Sequence, residues 1–149
     1  MKNKFKSILT IVIALCLSIT SYTTASAATA TFDGIMPLYN NTSYASAGMK
    51  IDNSGKMEIT YDFSGLKSKT SKVVITTYIE KRTLGLFWSR VENNQPDNQW
   101  VDTIYSIEHT KIRHFQLSSK GTYKVKILFK VYGTGGSTDE IPYEIKDSY

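Results

Sequence analysis

A two-residue alternation of apolar and polar side chains runs through most of the sequence and limits the folds open to it. It is clearest in residues 122–132, where alternate positions are apolar: Tyr123, Val125, Ile127, Phe129 and Val131. Lys124, Lys126 and Lys130 fall on the opposite face. Successive side chains of a strand point to opposite faces, so the pattern predicts a strand with one buried and one solvated face. From residue 43 onward no window keeps a helical stripe, which predicts an all-β protein.

Further strands are predicted along the rest of the chain. Residues 45–51 and 56–63 alternate in the same way, and residues 52–55 (Asp-Asn-Ser-Gly) are typical of a hairpin turn. Residues 72–81 and 86–91 predict a second hairpin, and residues 99–107, 111–117 and 141–145 predict more strands. Seven or eight strands with short connections favour an antiparallel immunoglobulin-like β-sandwich over a jelly roll. Residues 120–123 are similar to the corner of such sandwiches at which a Tyr hydroxyl bonds back to the main chain.

The first 27 residues have the three parts of a secretory signal peptide. Three lysines precede an apolar run over residues 8–17, and Ala25-Ser26-Ala27 supplies the small residues of a cleavage site. Cleavage is expected between Ala27 and Ala28. Ten apolar residues span only about 15 Å as a helix, too short for a membrane anchor. We therefore predict a secreted protein with an N-terminal arm over residues 28–41 and one sandwich domain over residues 42–149.

Removal of the leader changes the charge and the cysteine content. The chain has 18 Lys and Arg against 13 Asp and Glu, but three of the lysines lie in the leader, which leaves a net charge of +2 (15 − 13). That small excess argues against a nucleic-acid partner. The only cysteine, Cys16, is also in the leader, so disulfides, thiol nucleophiles and thiolate metal sites are excluded from the mature chain. No cofactor is expected.

Several landmarks resemble those of an uncharacterised family of small exported proteins from Gram-positive bacteria. They are residues 36–39 (Met-Pro-Leu-Tyr), residues 54–56 (Ser-Gly-Lys), Trp88 and residues 121–126 (Gly-Thr-Tyr-Lys-Val-Lys). The resemblance implies a signal peptide followed by one β-sandwich, and it implies no catalytic residues. The chain departs from this family at residues 84–88, where polar turn residues would be expected.

Catalytic candidates are few. His109 and His114 are five residues apart, so in an unbroken strand they face opposite sides, and no neighbouring ligand completes a metal set. Glu108 next to His109 offers an acid and a base, but no nucleophile motif accompanies them. Asp139 and Glu140 are adjacent and would also face opposite sides. A secreted hydrolase with an unfamiliar site stays an alternative.

Two surfaces are candidate contact sites. Leu84, Leu86, Phe87 and Trp88 surround Gly85 at a predicted hairpin tip, where polar residues are usual. Either they cap the end of the core or they stay exposed and contact a partner. Lys124, Lys126 and Lys130 form the second surface. They are either neutralised by Glu140 and Glu144 on the last strand or available as a basic face for an anionic wall polymer.

The sequence thus favours an exported, non-catalytic module that binds at or outside the cell envelope. Cell-wall polymer, a glycan, a lipid surface and another secreted protein are the candidate partners. A membrane-active or toxin-like protein that uses the apolar tip at residues 84–88 is the main alternative.

Overall fold

Two antiparallel β-sheets pack face to face in this protein. A computed structural model describes residues 28–30 and 39–149, and the described part of the chain contains no α-helix. The strands, in chain order, are β1 (Ala28–Ala30), β2 (Thr42–Ile51), β3 (Lys56–Gly65), β4 (Thr70–Thr83), β5 (Phe87–Arg90), β6 (Trp100–Ile104), β7 (Glu108–Gln116), β8 (Thr122–Gly133) and β9 (Asp139–Ser148). A turn of 3-10 helix, Pro96–Asn98, precedes β6. The predicted all-β sandwich is confirmed.

The first sheet has the strand order β1-β2-β3-β7, and the second has the order β5-β4-β8-β9. β4 is the most heavily paired strand. β5 pairs with its residues 80–83, β6 pairs with its residues 73–77, and β8 occupies the other side. The chain crosses between the sheets after β3, after β6 and after β7, so each sheet contains strands from separate stretches of the sequence.

The core lies between the sheets and consists of the inward-facing side chains that the alternation predicts. Met57, Ile59, Tyr61 and Phe63 of β3 are buried, as are the alternate residues of β8 from Tyr123 to Val131. Phe129 is at the centre: its ring lies 6.0 Å from Tyr61, 6.3 Å from Phe63 and 5.8 Å from Tyr143, measured between ring centroids. Such aromatic pairs add stabilisation beyond their buried area.

The sandwich has two distinct ends. The first end carries the β2–β3 turn, the loop at residues 117–121 and the β4–β5 turn. Its parts are joined by the hydrogen bond from Leu117 N to Gly55 O (2.9 Å), and Lys81 Nζ contacts Ser119 Oγ at 2.5 Å. The opposite end carries the turn after β3 and the loops at residues 105–107 and 134–138. There, Gly65 N donates to Ile107 O and Thr134 N donates to Lys69 O.

Most of the predicted strands are present, with one addition. Eight strands lie between Thr42 and Ser148, and the described residues contain a ninth, β1, inside the segment predicted to be an arm. β1 pairs antiparallel with β2, with Ala28 opposite Met49. The expected corner bond is also found: the Tyr123 hydroxyl donates to the Ser119 carbonyl oxygen at 2.5 Å.

Candidate functional site

The β4–β5 hairpin projects beyond the rest of the second sheet. The last paired residues of β4 and β8 are Lys81 and Tyr123. β4 continues for two more residues, and there it pairs with β5, ending with Thr83 opposite Phe87. We call residues 83–87 the tip. Leu84, Leu86 and Phe87 are 84%, 76% and 64% exposed, respectively. The sequence allowed these residues either to cap the end of the core or to stay exposed. In the structure Leu84, Leu86 and Phe87 are exposed and do not cap the core.

The turn of the tip carries backbone strain at a leucine. Leu84 has φ of 52° and Gly85 has φ of 70°, and Leu86 N donates to Thr83 O at 3.2 Å across the turn. The left-handed region costs an ordinary residue about 1–2 kcal/mol, because Cβ approaches the following carbonyl oxygen. Glycine and asparagine tolerate it much better. Leu84 thus combines an unfavourable backbone conformation with an exposed aliphatic side chain, and it contributes nothing to the core.

Replacement of Leu84 by Asn is expected to stabilise the fold. Asn adopts the left-handed region at lower cost and removes an exposed apolar side chain, so the free energy of unfolding should rise by about 0.5–1 kcal/mol. Urea denaturation measures this change. Leu86→Asn is the matched control, because Leu86 is similarly exposed but does not have positive φ. Equal stabilities of the two variants would contradict the strain at Leu84.

Trp88 lies at the base of the tip and differs from its neighbours in being partly buried. It is opposite Arg82 on β4, and its indole ring lies on the outer face of the second sheet. The ammonium groups of Lys124 and Lys146 are 4.3 Å and 5.9 Å from the ring centroid. These cation–π contacts hold the base of the hairpin against β8 and β9. Trp88 therefore supports the tip, and Leu84, Leu86 and Phe87 are its exposed apolar side chains.

The row of Lys124, Lys126 and Lys130 on β8 lies beside carboxylates. Lys124 Nζ is 2.9 Å from Glu80, and Lys130 Nζ is 2.9 Å from Glu140. Lys126 is opposite Glu144 across the β8–β9 pair, at 3.8 Å. Burial opposes the charge of Lys124, but Glu80 and Glu144 outweigh it and raise the pKa of this lysine. Each lysine thus has an acidic neighbour, and the row offers little free positive charge.

A shallow groove of about 460 Å³ lies on the same outer face. Leu128, Pro142 and Thr76 line it together with the charged residues Lys126 and Glu144. Since the two charged groups have opposite signs and are 3.8 Å apart, the groove has no net charge from them. It can accommodate a small uncharged group, but it supplies no charge that would select one.

The histidines do not assemble a site. His109 faces the space between the sheets, opposite Phe63, whereas His114 faces outward with Nε2 3.2 Å from a Glu58 carboxylate oxygen. Glu108 and His109 point to opposite faces of β7, as do buried Asp139 and exposed Glu140 on β9. Within residues 28–30 and 39–149 there is no group of three or more His, Cys, Asp or Glu side chains that could hold a metal ion.

The sequence reasoning missed a charged cluster between the sheets, which we call the clasp: Asp102, Lys111, Arg113 and Tyr61. Asp102 of β6 accepts hydrogen bonds from Lys111 Nζ, from the Tyr61 hydroxyl and, at 2.9 Å, from Arg113. Burial pushes the pKa of Asp102 upward, but these three donors outweigh burial and hold it below its usual value. Burial, reinforced by Asp102, raises the pKa of Tyr61. The clasp ties the second sheet to the first.

The predicted leader and most of the arm lie outside the described residues. They include residues 1–27, with Ala27 of the cleavage site, and the landmark residues 36–38. Ala28, the expected first residue after cleavage, is the first residue of β1. Among the described residues, no helix has the length and apolar character needed to cross a bilayer.

Comparisons with protein-family models, with curated proteins and with solved structures find no match to this chain.

Proposed function

We propose that this protein is an exported, non-catalytic module with an immunoglobulin-like sandwich, which attaches to a surface of the cell envelope through its tip. The observation that carries the proposal is the exposure of Leu84, Leu86 and Phe87 at the end of a projecting hairpin. A soluble domain gains no stability from these side chains in water, and a strained Leu84 adds a further cost. Such a combination favours a contact surface.

Export is the part of the proposal that rests on residues 1–27. Their basic start, apolar run and small-residue site have the order of a secretory signal peptide. A chain without cysteine after the leader needs another way to join its sheets in an oxidising compartment. The aromatic core around Phe129 and the clasp at Asp102 supply it. The immunoglobulin-like topology is supported by the Tyr123 corner bond and by the crossings between the sheets.

A binding experiment with isolated envelope material tests the proposal. The purified protein is mixed with cell walls and membranes and then sedimented. We expect the double variant Leu86→Ser, Phe87→Ser to bind on the order of a hundredfold more weakly, since each large apolar side chain loses about 1.5–3 kcal/mol of burial. Its unfolding free energy should be nearly unchanged, because both side chains are exposed in the free protein.

The matched control is Tyr105→Ser, Ile107→Ser. These two exposed apolar residues lie in the loop at the opposite end of the sandwich. Their replacement should leave sedimentation unchanged. The proposal is refuted if the tip variant sediments with envelope material as well as the unaltered protein does. It is also refuted if the control variant loses as much binding as the tip variant.

A further inference from the structure

We infer that the surface to which the tip attaches is a lipid bilayer with anionic headgroups. This inference rests on the proposed function and names its partner. The additional observation is a set of four basic residues at the same end of the sandwich as the tip, which we call the collar: Lys56, Lys81, Arg82 and Lys120. The tip and the collar together match the two layers of a bilayer surface.

The fold places the collar around the base of the tip. Lys81 and Arg82 directly precede the tip on β4. Lys120 lies in the loop at residues 117–121, which Lys81 holds through its contact with Ser119 Oγ. Lys56 begins β3 beside the turn whose Gly55 accepts a hydrogen bond from Leu117 of the same loop. All four residues are therefore on elements that meet at the first end of the sandwich.

The collar carries free positive charge, in contrast to the lysine row on β8. Within the part of the chain that the structure describes, no collar residue has a carboxylate within 4.0 Å. Among the described residues, Asp52 and Asp147 are the acidic side chains at this end. Asp52 accepts from Ser54 and Lys56, and Asp147 accepts from Ile51 and Ser148, so both carboxylates are held by backbone N–H groups and keep their negative charge. Hydrogen bonds from Ser54 and Lys56, together with the charge of Lys56, lower the pKa of Asp52. The four cations of the collar still exceed these two acids, so this end of the sandwich has a net positive charge.

A bilayer fits this arrangement because its chemistry changes with depth. Leucine and phenylalanine side chains enter the boundary between headgroups and acyl chains, while lysine and arginine remain at the level of the lipid phosphates. Each basic residue near an anionic leaflet strengthens binding by about 1 kcal/mol, which is about fivefold. Three apolar side chains alone give weak binding, so the collar and the tip must act together.

Other envelope partners fit less well. A stable protein interface buries about 800 Å² on each partner, more than a tip with three apolar side chains offers. A sugar ring prefers a flat aromatic platform, whereas two of the three exposed side chains are leucines. An anionic wall polymer would use the collar but would have no apolar layer to receive the tip.

Vesicle sedimentation tests the inference. The probes are vesicles of phosphatidylcholine alone and vesicles that also contain phosphatidylglycerol, with isolated cell walls as a third arm. We expect binding to the mixed vesicles, and added salt should weaken it. Replacing them with phosphatidylcholine vesicles should weaken binding on the order of a hundredfold or more, since all four collar residues lose their anionic partners at about fivefold each. The variant Arg82→Gln, Lys120→Gln should lose about 25-fold, and Leu86→Ser, Phe87→Ser on the order of a hundredfold.

The charge-matched control is Lys67→Gln, Lys69→Gln. It removes the same two charges from exposed lysines at the opposite end, so its binding should stay within about twofold of the original. Three results would overturn the inference: the two charge variants lose equal affinity, the protein binds both vesicle types equally, or it binds no vesicles. If the tip is required for binding to walls and not to vesicles, the lipid inference fails and the proposed function stands. If neither arm depends on the tip, both fail.

Discussion

Replacement of Asp102 by Ala is expected to lower the free energy of unfolding by about 3 kcal/mol, measured by urea denaturation at neutral pH. Asp102 accepts hydrogen bonds from Lys111, Arg113 and Tyr61 in the space between the sheets. Its removal leaves two cations that are 34% and 17% exposed without their counter-charge. Leaving a partly buried charge without its partner is costly, and the Tyr61 hydroxyl loses its acceptor as well.

The matched control for this prediction is Asp62→Ala. Asp62, on β3, faces outward and accepts a hydrogen bond from Thr110 at 2.8 Å. Its loss should cost less than about 1 kcal/mol. If the two variants are equally stable, the clasp contributes nothing beyond an ordinary surface hydrogen bond and our account of it is wrong.

The clasp also predicts a dependence on pH. The pKa of Asp102 in the folded protein is held below its unfolded value, so its stabilising effect is complete above the unfolded value of about 4 and is lost as the pH falls through the folded value. The variant Asp102→Asn should therefore be less stable at pH 7, and its stability should decline less on acidification. Parallel acid-unfolding curves for the two proteins would contradict this.

Replacement of Asp139 by Ala has the second large expected effect, a loss of about 3 kcal/mol. Asp139 is 5% exposed and fixes the start of β2. Its two carboxylate oxygens accept hydrogen bonds from Asn40 N at 2.8 Å, Asn41 N at 2.8 Å and Thr42 Oγ1 at 2.9 Å. Without them, two backbone N–H groups and a hydroxyl lose their partner at a buried position, and each buried unsatisfied group costs about 1–3 kcal/mol.

Hydrogen exchange locates the effect of this substitution. The amides of Asn40 and Asn41 should lose protection in Asp139→Ala, in addition to the general loss of stability. Glu140→Ala is the control, because Glu140 is the adjacent acid, faces outward and pairs with the surface residue Lys130 at 2.9 Å. It should change stability by less than about 1 kcal/mol. Unchanged protection of Asn41 in Asp139→Ala would contradict the role that we assign to this carboxylate.

The strands were predictable because each depends on a local pattern. β3 alternates over its whole length and β8 over most of its length. The β2–β3 turn contains residues that form it locally: Asp52 accepts from Ser54 N at 2.8 Å and Gly55 has φ of 79°. The pairing of Lys130 with Glu140 followed from alternation on two strands that are adjacent in sequence. β1 was missed because three small residues, Ala-Thr-Ala, carry no usable pattern.

The clasp could not be predicted in the same way, because it depends on the pairing of distant strands. Asp102 meets Lys111 and Arg113 only when β6 pairs with β4 in one sheet and β7 pairs with β3 in the other. A signal was present: His109, Lys111, Arg113 and Phe115 share one face of β7, and that face is more buried than the other. A partly buried face that carries two cations between aromatic rings can indicate an internal ion pair.

The sequence identified the tip as an unusual apolar turn, but it did not determine whether the side chains of the tip are exposed. Leu84, Leu86 and Phe87 are unusual turn residues in any sandwich. Whether they cap the core depends on how far β4 extends beyond β8, which is set by the register of Lys81 opposite Tyr123. The collar could not be predicted for the same reason. Its residues come from β3, from β4 and from the loop at residues 117–121, which meet only at one end of the folded sandwich.

We propose that the tip is kept exposed and strained because it binds an envelope surface. The most direct test is the affinity of Leu84→Asn for isolated envelope material, measured beside its stability. We predict that this variant is more stable by about 0.5–1 kcal/mol and binds about tenfold more weakly or worse, since it relieves the strained turn and removes one apolar contact. A variant that is more stable and binds with unchanged affinity would contradict the claim.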